Sequence, residues 1–244
     1  MSNPYFQFKQ FTIYQDRCAM KVTTDACLFG AYVADAIAGR KAEIRSVLDV
    51  GTGTGLLSLM FAQKNPSTVI DAIEIDNEAS GQAKQNVSGS PFRDRIRVIN
   101  GDVRTVVFEN KYDVIISNPP FYENELKSAQ HLKNIAHHHS GLLLQDLLTF
   151  VKANLNTNGY FYLLLPYKRN DEIKKLLLQN EFNISRLILV KQSTRHDYFR
   201  IILEGTLKGQ EDLETEFDEM SIWNDKEEYT EEFKRLLKDY YLHL

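Results

Sequence analysis

Long apolar runs are missing from this 244-residue chain. Its apolar runs, such as residues 160–165 and 201–203, are of strand length at most and fall far short of the roughly 20 residues a membrane helix needs, so no helical span is expected. An export signal is missing too. Residues 1–5 carry neither a basic start nor an apolar h-region, and Lys9, Gln10, Gln15, Asp16 and Arg17 break up the stretch that follows, so a cytoplasmic location is expected. Cysteine is scarce: Cys18 and Cys27 match no common zinc or redox spacing, which points to reduced, structural thiols. Basic charge is also short, with 29 Lys and Arg against 33 Asp and Glu and a net charge of −4. The chain therefore lacks the strongly basic balance of many nucleic-acid-binding domains. Its acids concentrate between Gln210 and Glu232, leaving local basic surface in the body, where Lys168, Arg169, Arg195 and Arg200 lie.

What is present is 43% hydrophobic residues, enough to bury one substantial core at a length common for a single α/β domain. An aromatic, partly alternating stretch (Phe6, Phe8, Phe11, Ile13) is followed by an apolar helical segment over 25–38, with Thr24 as its expected N-cap. From Ser46 onward strand and helix patterns alternate: strands over 47–50, 69–75, 96–100 and 113–117, helices over 56–63 and 78–87. Such alternation implies βαβ units and a parallel sheet. A helix over 142–155, a turn at Asn158 and Gly159, a buried strand over 160–165 and a helix over 171–179 come next. Strands over 184–190 and 198–207 lie close enough in sequence to form an antiparallel pair, and a last helix is expected over 227–242. The class read from this is α/β and Rossmann-like, with a seven-stranded, mostly parallel sheet, a C-terminal antiparallel hairpin and helices on both faces. The chain divides into an N-terminal extension over 1–40 that packs on the ligand site, a central domain over 41–208, and an acidic segment with a C-terminal helix over 209–244.

Chemistry collects where strands end. In Asp49-Val50-Gly51-Thr52-Gly53-Thr54-Gly55 the first sheet strand turns into a helix, and glycines there let the backbone approach a ligand at the carboxyl end of a parallel strand. Leu56 stands where a dinucleotide-binding turn needs its third glycine, which disfavours NAD. Asp49, poorly suited to a pyrophosphate, suits a ligand with an α-ammonium group such as the methionine end of S-adenosyl-L-methionine. Glu74 ends the second strand, where a carboxylate can accept both ribose hydroxyls. Asp102, after the third, can accept from an adenine amine. Thr52, Ile75 and Val103 flank these acids as further cofactor contacts.

The fourth strand ends in Ser117-Asn118-Pro119-Pro120-Phe121-Tyr122. Two prolines fix φ and remove two amide donors, leaving carbonyls outward as a rigid acceptor shelf. An exocyclic amine on an aromatic ring is a poor nucleophile because its lone pair is delocalised. Accepting its two hydrogens at the Asn118 side-chain oxygen and the Pro119 carbonyl would position the nitrogen for in-line displacement without a covalent enzyme intermediate. Phe121 or Tyr122 would stack on the extruded base. A run of three histidines, His137, His138 and His139, lacks the spacing of a metal site, and no metal is expected.

These residues resemble the Asn-Pro-Pro-Phe/Tyr class I S-adenosylmethionine-dependent aminomethyltransferases. Within them the chain is similar to the bacterial tRNA1(Val) adenine-N6 methyltransferases, through Phe6-Gln7-Phe8-Lys9-Gln10-Phe11, through residues 20–31 and through Asn118 to Tyr122. The resemblance spans most of residues 5–207 and departs at Thr23 and Ala26, where glycines are frequent. It implies a class I methyltransferase fold and methylation of adenosine 37, immediately 3′ of the anticodon, in a valine tRNA. It also implies that Lys21, Thr24 and Asp25 cover the cofactor's methionine end. Arg195 and Arg200 are expected to touch tRNA phosphates near the anticodon. An amide nitrogen poses the same problem of a delocalised lone pair, so protein glutamine, ribosomal RNA adenine and DNA adenine stay open as targets. A non-catalytic RNA-binding module is the remaining alternative, which the complete shelf and three cofactor acids argue against.

Overall fold

The computed structural model describes residues 3–120, 144–209 and 214–244. A small antiparallel hairpin leads, β1 (Tyr5–Gln7) with β2 (Thr12–Tyr14), followed by α1 (Thr24–Ala38). Then come β3 (Ser46–Val50), α2 (Leu56–Lys64), β4 (Val69–Glu74), α3 (Asn77–Ser88), β5 (Ile96–Asn100) and β6 (Tyr112–Ser117). The second half holds α4 (Leu144–Asn154), β7 (Leu155–Pro166), α5 (Asn170–Gln179), β8 (Phe182–Ser193), β9 (Tyr198–Leu207), β10 (Glu216–Trp223) and α6 (Glu231–Leu237). One eight-stranded sheet runs in the order β10-β8-β9-β7-β6-β3-β4-β5, and within it only β9 runs antiparallel to its neighbours. The central strands read Ser-Val-Leu-Asp-Val and Tyr-Asp-Val-Ile-Ile-Ser because helices cover both of their faces, the condition under which strands become continuous β-branched runs. Residues of α1, α2, α3 and α6 pack in one core cluster, those of α4 and α5 in another on the opposite face.

All seven expected strands are present, β3 to β9, and the sheet carries an eighth. β10 comes from the acidic segment and adds in parallel to β8 at the sheet edge. It was read only as an acidic segment, yet Met220 and Ile222 are buried while Glu216, Asp218 and Glu219 are exposed. Those acids meet basic residues of β8: Arg186 pairs with Glu216 and, at 3.6 Å, with Asp218, and Lys191 lies 3.5 Å from Glu219. The expected turn at Asn158 and Gly159 falls inside β7. The register jumps from Tyr112↔Leu155 to Val114↔Tyr160, so residues 156–159 bulge out of the ladder and the turn signal marks that bulge. The N-cap of α1 is Thr23, one residue earlier than expected: its backbone is extended (φ −120, ψ 154) and its hydroxyl accepts from the Ala26 amide, while Thr24 already opens the helix. No helix among the described residues is long and apolar enough to cross a membrane. Cys27 is buried and Cys18 half-buried, and both are free thiols.

The two ends of the chain close on each other. Phe8 forms a bridge with Tyr241, the Lys9 amide donates to the Tyr240 carbonyl at 2.8 Å, and the Tyr240 hydroxyl donates to the Met60 carbonyl at 2.9 Å. The final helix is shorter than the expected 227–242 because Thr230, whose side chain accepts from Phe233 N, starts it at Glu231. Phe233, fully buried, stacks on Tyr229, which stacks in turn on Trp223, so the tail belongs to the main core. Phe233→Ala should cost about 3–5 kcal/mol of unfolding free energy, the range for deleting a buried aromatic ring, as read from the midpoint of urea denaturation. A loss below about 1 kcal/mol would show that the tail is only laid against the surface.

Candidate active site at the carboxyl ends of the strands

The turn after β3 is built around a buried acid. Asp49 is 0% exposed; its Oδ2 accepts from Thr52 Oγ1 at 2.6 Å and Ser58 Oγ at 2.7 Å, and its Oδ1 has no hydrogen-bond partner among the described residues. Burial, the largest influence, pushes the carboxyl up to about 6; the two hydroxyls pull it down and the charge of Glu74 pushes it up further. Ser58 is a contributor that the sequence reading missed. Its only signal was one hydroxyl inside the apolar run Leu56-Leu57-Ser58-Leu59-Met60.

Gly51, Gly53 and Gly55 all take positive φ, +71, +57 and +83. A Cβ added at Gly51 or Gly53 would meet nothing within 4 Å, so the turn needs glycine for its backbone and leaves open space above itself. The amides of Gly51 and Thr52 both donate to the Ile73 carbonyl, at 2.9 and 3.1 Å. Glu74 holds the same turn from β4: its Oε2 accepts from Gly53 N at 2.9 Å and its Oε1 from Asp76 N at 3.0 Å. A carboxylate has about four acceptor directions, so Glu74 keeps capacity for a ligand's hydroxyls. Ile75, beside it, is exposed. After β5, Asp102 opens a turn, accepting from the Arg104 amide at 2.9 Å and gripping the Arg104 guanidinium at 2.6 Å; Val103, next along, packs against the sheet.

On β6 the strand stops at Ser117, whose hydroxyl donates to the Val50 carbonyl at 2.7 Å and fixes the two strand ends together. The register Val50↔Ser117 sets Asn118 alongside Gly51. Asn118 is half-buried, and its carboxamide makes no hydrogen bond among the described residues; Pro119 is buried and Pro120 half-buried. Phe121, Tyr122, His137, His138 and His139 lie outside the described residues.

The residues expected from the N-terminal stretch come to the same end of the sheet. Thr24 and Asp25 form the first turn of α1, and Asp25 Oδ2 accepts from Arg200 Nε at 2.7 Å. Arg200, expected on RNA phosphates, thus faces a carboxylate across the β9 end. Lys21 is exposed, on the segment that leads into α1. Arg195 sits in the β8–β9 turn, 71% exposed, and donates to the Asp225 carbonyl at 2.8 Å.

The strand order and the acid-and-glycine cluster at the carboxyl ends define the class I methyltransferase fold. The family model for the methyltransferase small domain matches residues 34–193. Among solved structures the chain is similar to a predicted O-methyltransferase from Agrobacterium tumefaciens, with TM-score 0.66 at 17% identity over 88% of this chain and 96% of that one. It is also similar to the glycopeptide N-methyltransferase MtfA complexed with S-adenosylmethionine, with TM-score 0.53 at 15% identity over 73% and 94%. A relative from Dyadobacter fermentans is 39% identical over 98% of both chains, and one from Bacteroides thetaiotaomicron is 38% identical over the whole of both. Both are named tRNA1(Val) (adenine(37)-N6)-methyltransferase, and this chain belongs to that family.

The raised Asp49 carboxyl has a consequence for stability. Between the ordinary carboxylate value near 3.8 and about 6, the folded state holds a proton that the unfolded state has lost, so this group's contribution to stability falls as pH rises through that window. Asp49→Asn should flatten that part of the thermal-midpoint profile between pH 4 and 6 and leave the ligand-free protein at least as stable as wild type at pH 8. An unchanged slope in the variant would show that the buried acid is not its source.

Proposed function

We propose that this protein transfers a methyl group from S-adenosylmethionine to the N6 nitrogen of adenosine 37 in a valine tRNA. The observation that carries the reading is a buried, unpartnered carboxylate oxygen on β3 beside the side-chain amide that follows the adjacent strand β6. The Oδ1 of Asp49, without a partner among the described residues, lies one residue before the end of β3, and the carboxamide of Asn118 directly follows β6, two register positions further along the neighbouring strand. A buried carboxylate oxygen without a partner calls for a cationic donor, and the α-ammonium of the cofactor is one. The open space above Gly51 and Gly53 admits the rest of that ligand. Glu74 supplies acceptor capacity for the ribose hydroxyls, and Asp102 turns from its Arg104 pairing to the adenine amine, with Thr52, Ile75 and Val103 around them. Lys21, Thr24 and Asp25 close over the methionine end.

Bound S-adenosylmethionine supplies a methyl group on positively charged sulfur. The protein's part is to hold the target amine. Asn118 Oδ1 and the Pro119 carbonyl each accept one N6 hydrogen, which draws the lone pair out of the ring and aims it across the gap between β6 and β3. Neither Pro119 nor Pro120 offers an amide hydrogen that would compete for those acceptors. Rate then comes from orientation in a direct displacement. Phe121 and Tyr122 follow the shelf directly in sequence and supply rings for stacking the flipped base. Arg195, at the same end of the sheet, serves the phosphates; Arg200 acts from its pairing with Asp25. The family assignment selects tRNA over protein glutamine, ribosomal RNA and DNA as the target, and tRNA puts the work in the cytoplasm.

Nucleoside mass spectrometry of purified valine tRNA from cells with and without the gene tests this. N6-methyladenosine should vanish with the gene and return with wild type but not with Asn118→Ala. In vitro the same substitution should lower kcat by about 10²–10³-fold, the scale for losing one positioned polar group at a reacting centre. Methyl transfer to ribosomal RNA or to a glutamine peptide, with tRNA left untouched, would reject the substrate while leaving the shelf chemistry in place.

A further inference from the structure

Two buried amides on α3 are not explained by the chemistry above. Gln82 is 0% exposed and Asn86 2%, and four-residue spacing sets them on one face of the helix. Asn86 is fully engaged. Its Oδ1 accepts from Tyr14 N at 2.9 Å, and its Nδ2 donates to the Tyr14 carbonyl at 2.9 Å and to the Thr54 carbonyl at 2.8 Å. One side chain therefore acts as a strand partner for the end of β2 and at the same time grips the glycine turn. Gln82 Oε1 accepts from Arg17 N at 2.8 Å, and the Arg17 guanidinium reaches Gln85 one turn along.

From this anchor the chain crosses the candidate site. Cys18 lies close enough to Glu74 and Asp76 that, after burial, their charges help push its thiol up to about 11. Seven residues on, Asp25 bonds Arg200 on β9. In the sheet order β3, β6 and β7 lie between β4 and β9, so the segment runs from the β4 side of the site to the β9 side. Gln15 braces the crossing, its side chain accepting from Val22 N at 2.8 Å and donating to the Asn3 carbonyl at 3.0 Å.

We propose that Gln82 and Asn86 are positioning residues for cofactor binding, holding residues 14–23 across the ends of β3 and β6 in register with the glycine turn. The inference rests on the methyltransferase reading of that site. Neither amide touches the reacting atoms, so their loss loosens the cover and the turn, and affinity for S-adenosylmethionine falls while chemistry in the filled site proceeds.

The test measures S-adenosylmethionine binding to the full-length protein by calorimetry, amide hydrogen exchange over residues 15–22 without cofactor, and tRNA methylation at saturating cofactor. Asn86→Ala should raise Kd about 10-fold or more and Gln82→Leu about 3–10-fold, each with faster exchange over 15–22 and kcat within twofold of wild type. If Asn86→Ala does not fold, Gln82→Leu decides. An unchanged Kd in a folded variant, or a fall in kcat with Kd unmoved, overturns the proposal. Wild-type protein that binds no S-adenosylmethionine would instead overturn the methyltransferase reading beneath it.

Discussion

A carboxylate removed from water has to be answered by something, and the geometry around Asp49 is that answer. Two hydroxyls, Thr52 and Ser58, serve one of its oxygens. To bring Thr52 back onto the end of its own strand the chain must turn at once, which places Gly51 and Gly53 at positive φ. To bring Ser58 there, α2 must start immediately after the turn, so the helix and the strand share one buried ion. The other oxygen is left with nothing. An isolated buried charge is costly, and the raised proton affinity of this acid is how the protein alone tolerates it.

The helical layer on one face of the sheet is completed from both ends of the chain. The leading hairpin packs through Phe8 and Phe11 on the same core as α1, and the tail adds Phe233, Tyr240 and Tyr241 to it. Aromatic contacts from Phe6 and Phe8 to Tyr241 join the two termini.

What the sequence made legible was local. The glycine turn, the acids at successive strand ends and Asn-Pro-Pro each declare themselves within a few residues, because the backbone constraint and the chemistry sit in one short stretch. What it concealed was distant or chemically disguised. Arg200 meets Asp25 across 175 positions, and nothing in either neighbourhood announces the pair. Asn86 and Gln82 look like solvent-facing residues of a polar helix until β2 and the crossing segment are laid on them. β10 was hidden by its own charge: a strand whose first half is acidic and exposed shows no strand pattern unless the basic side chains of β8 are known to lie beside it.

The bridge between Phe8 and Tyr241 also orders events in time. A contact that spans nearly the whole chain cannot form while the ribosome still holds the last residues, whereas the βαβ units of the centre draw on neighbours already made. The nascent protein therefore leaves the ribosome with its sheet largely specified and its aromatic clasp open. The segment that crosses the active site already has its anchors on α3 and at Arg200, so what waits for the tail is the clasp on the hairpin itself. A chain cut before Tyr241 would keep every residue of the chemistry and lack the clasp that joins the hairpin to the tail.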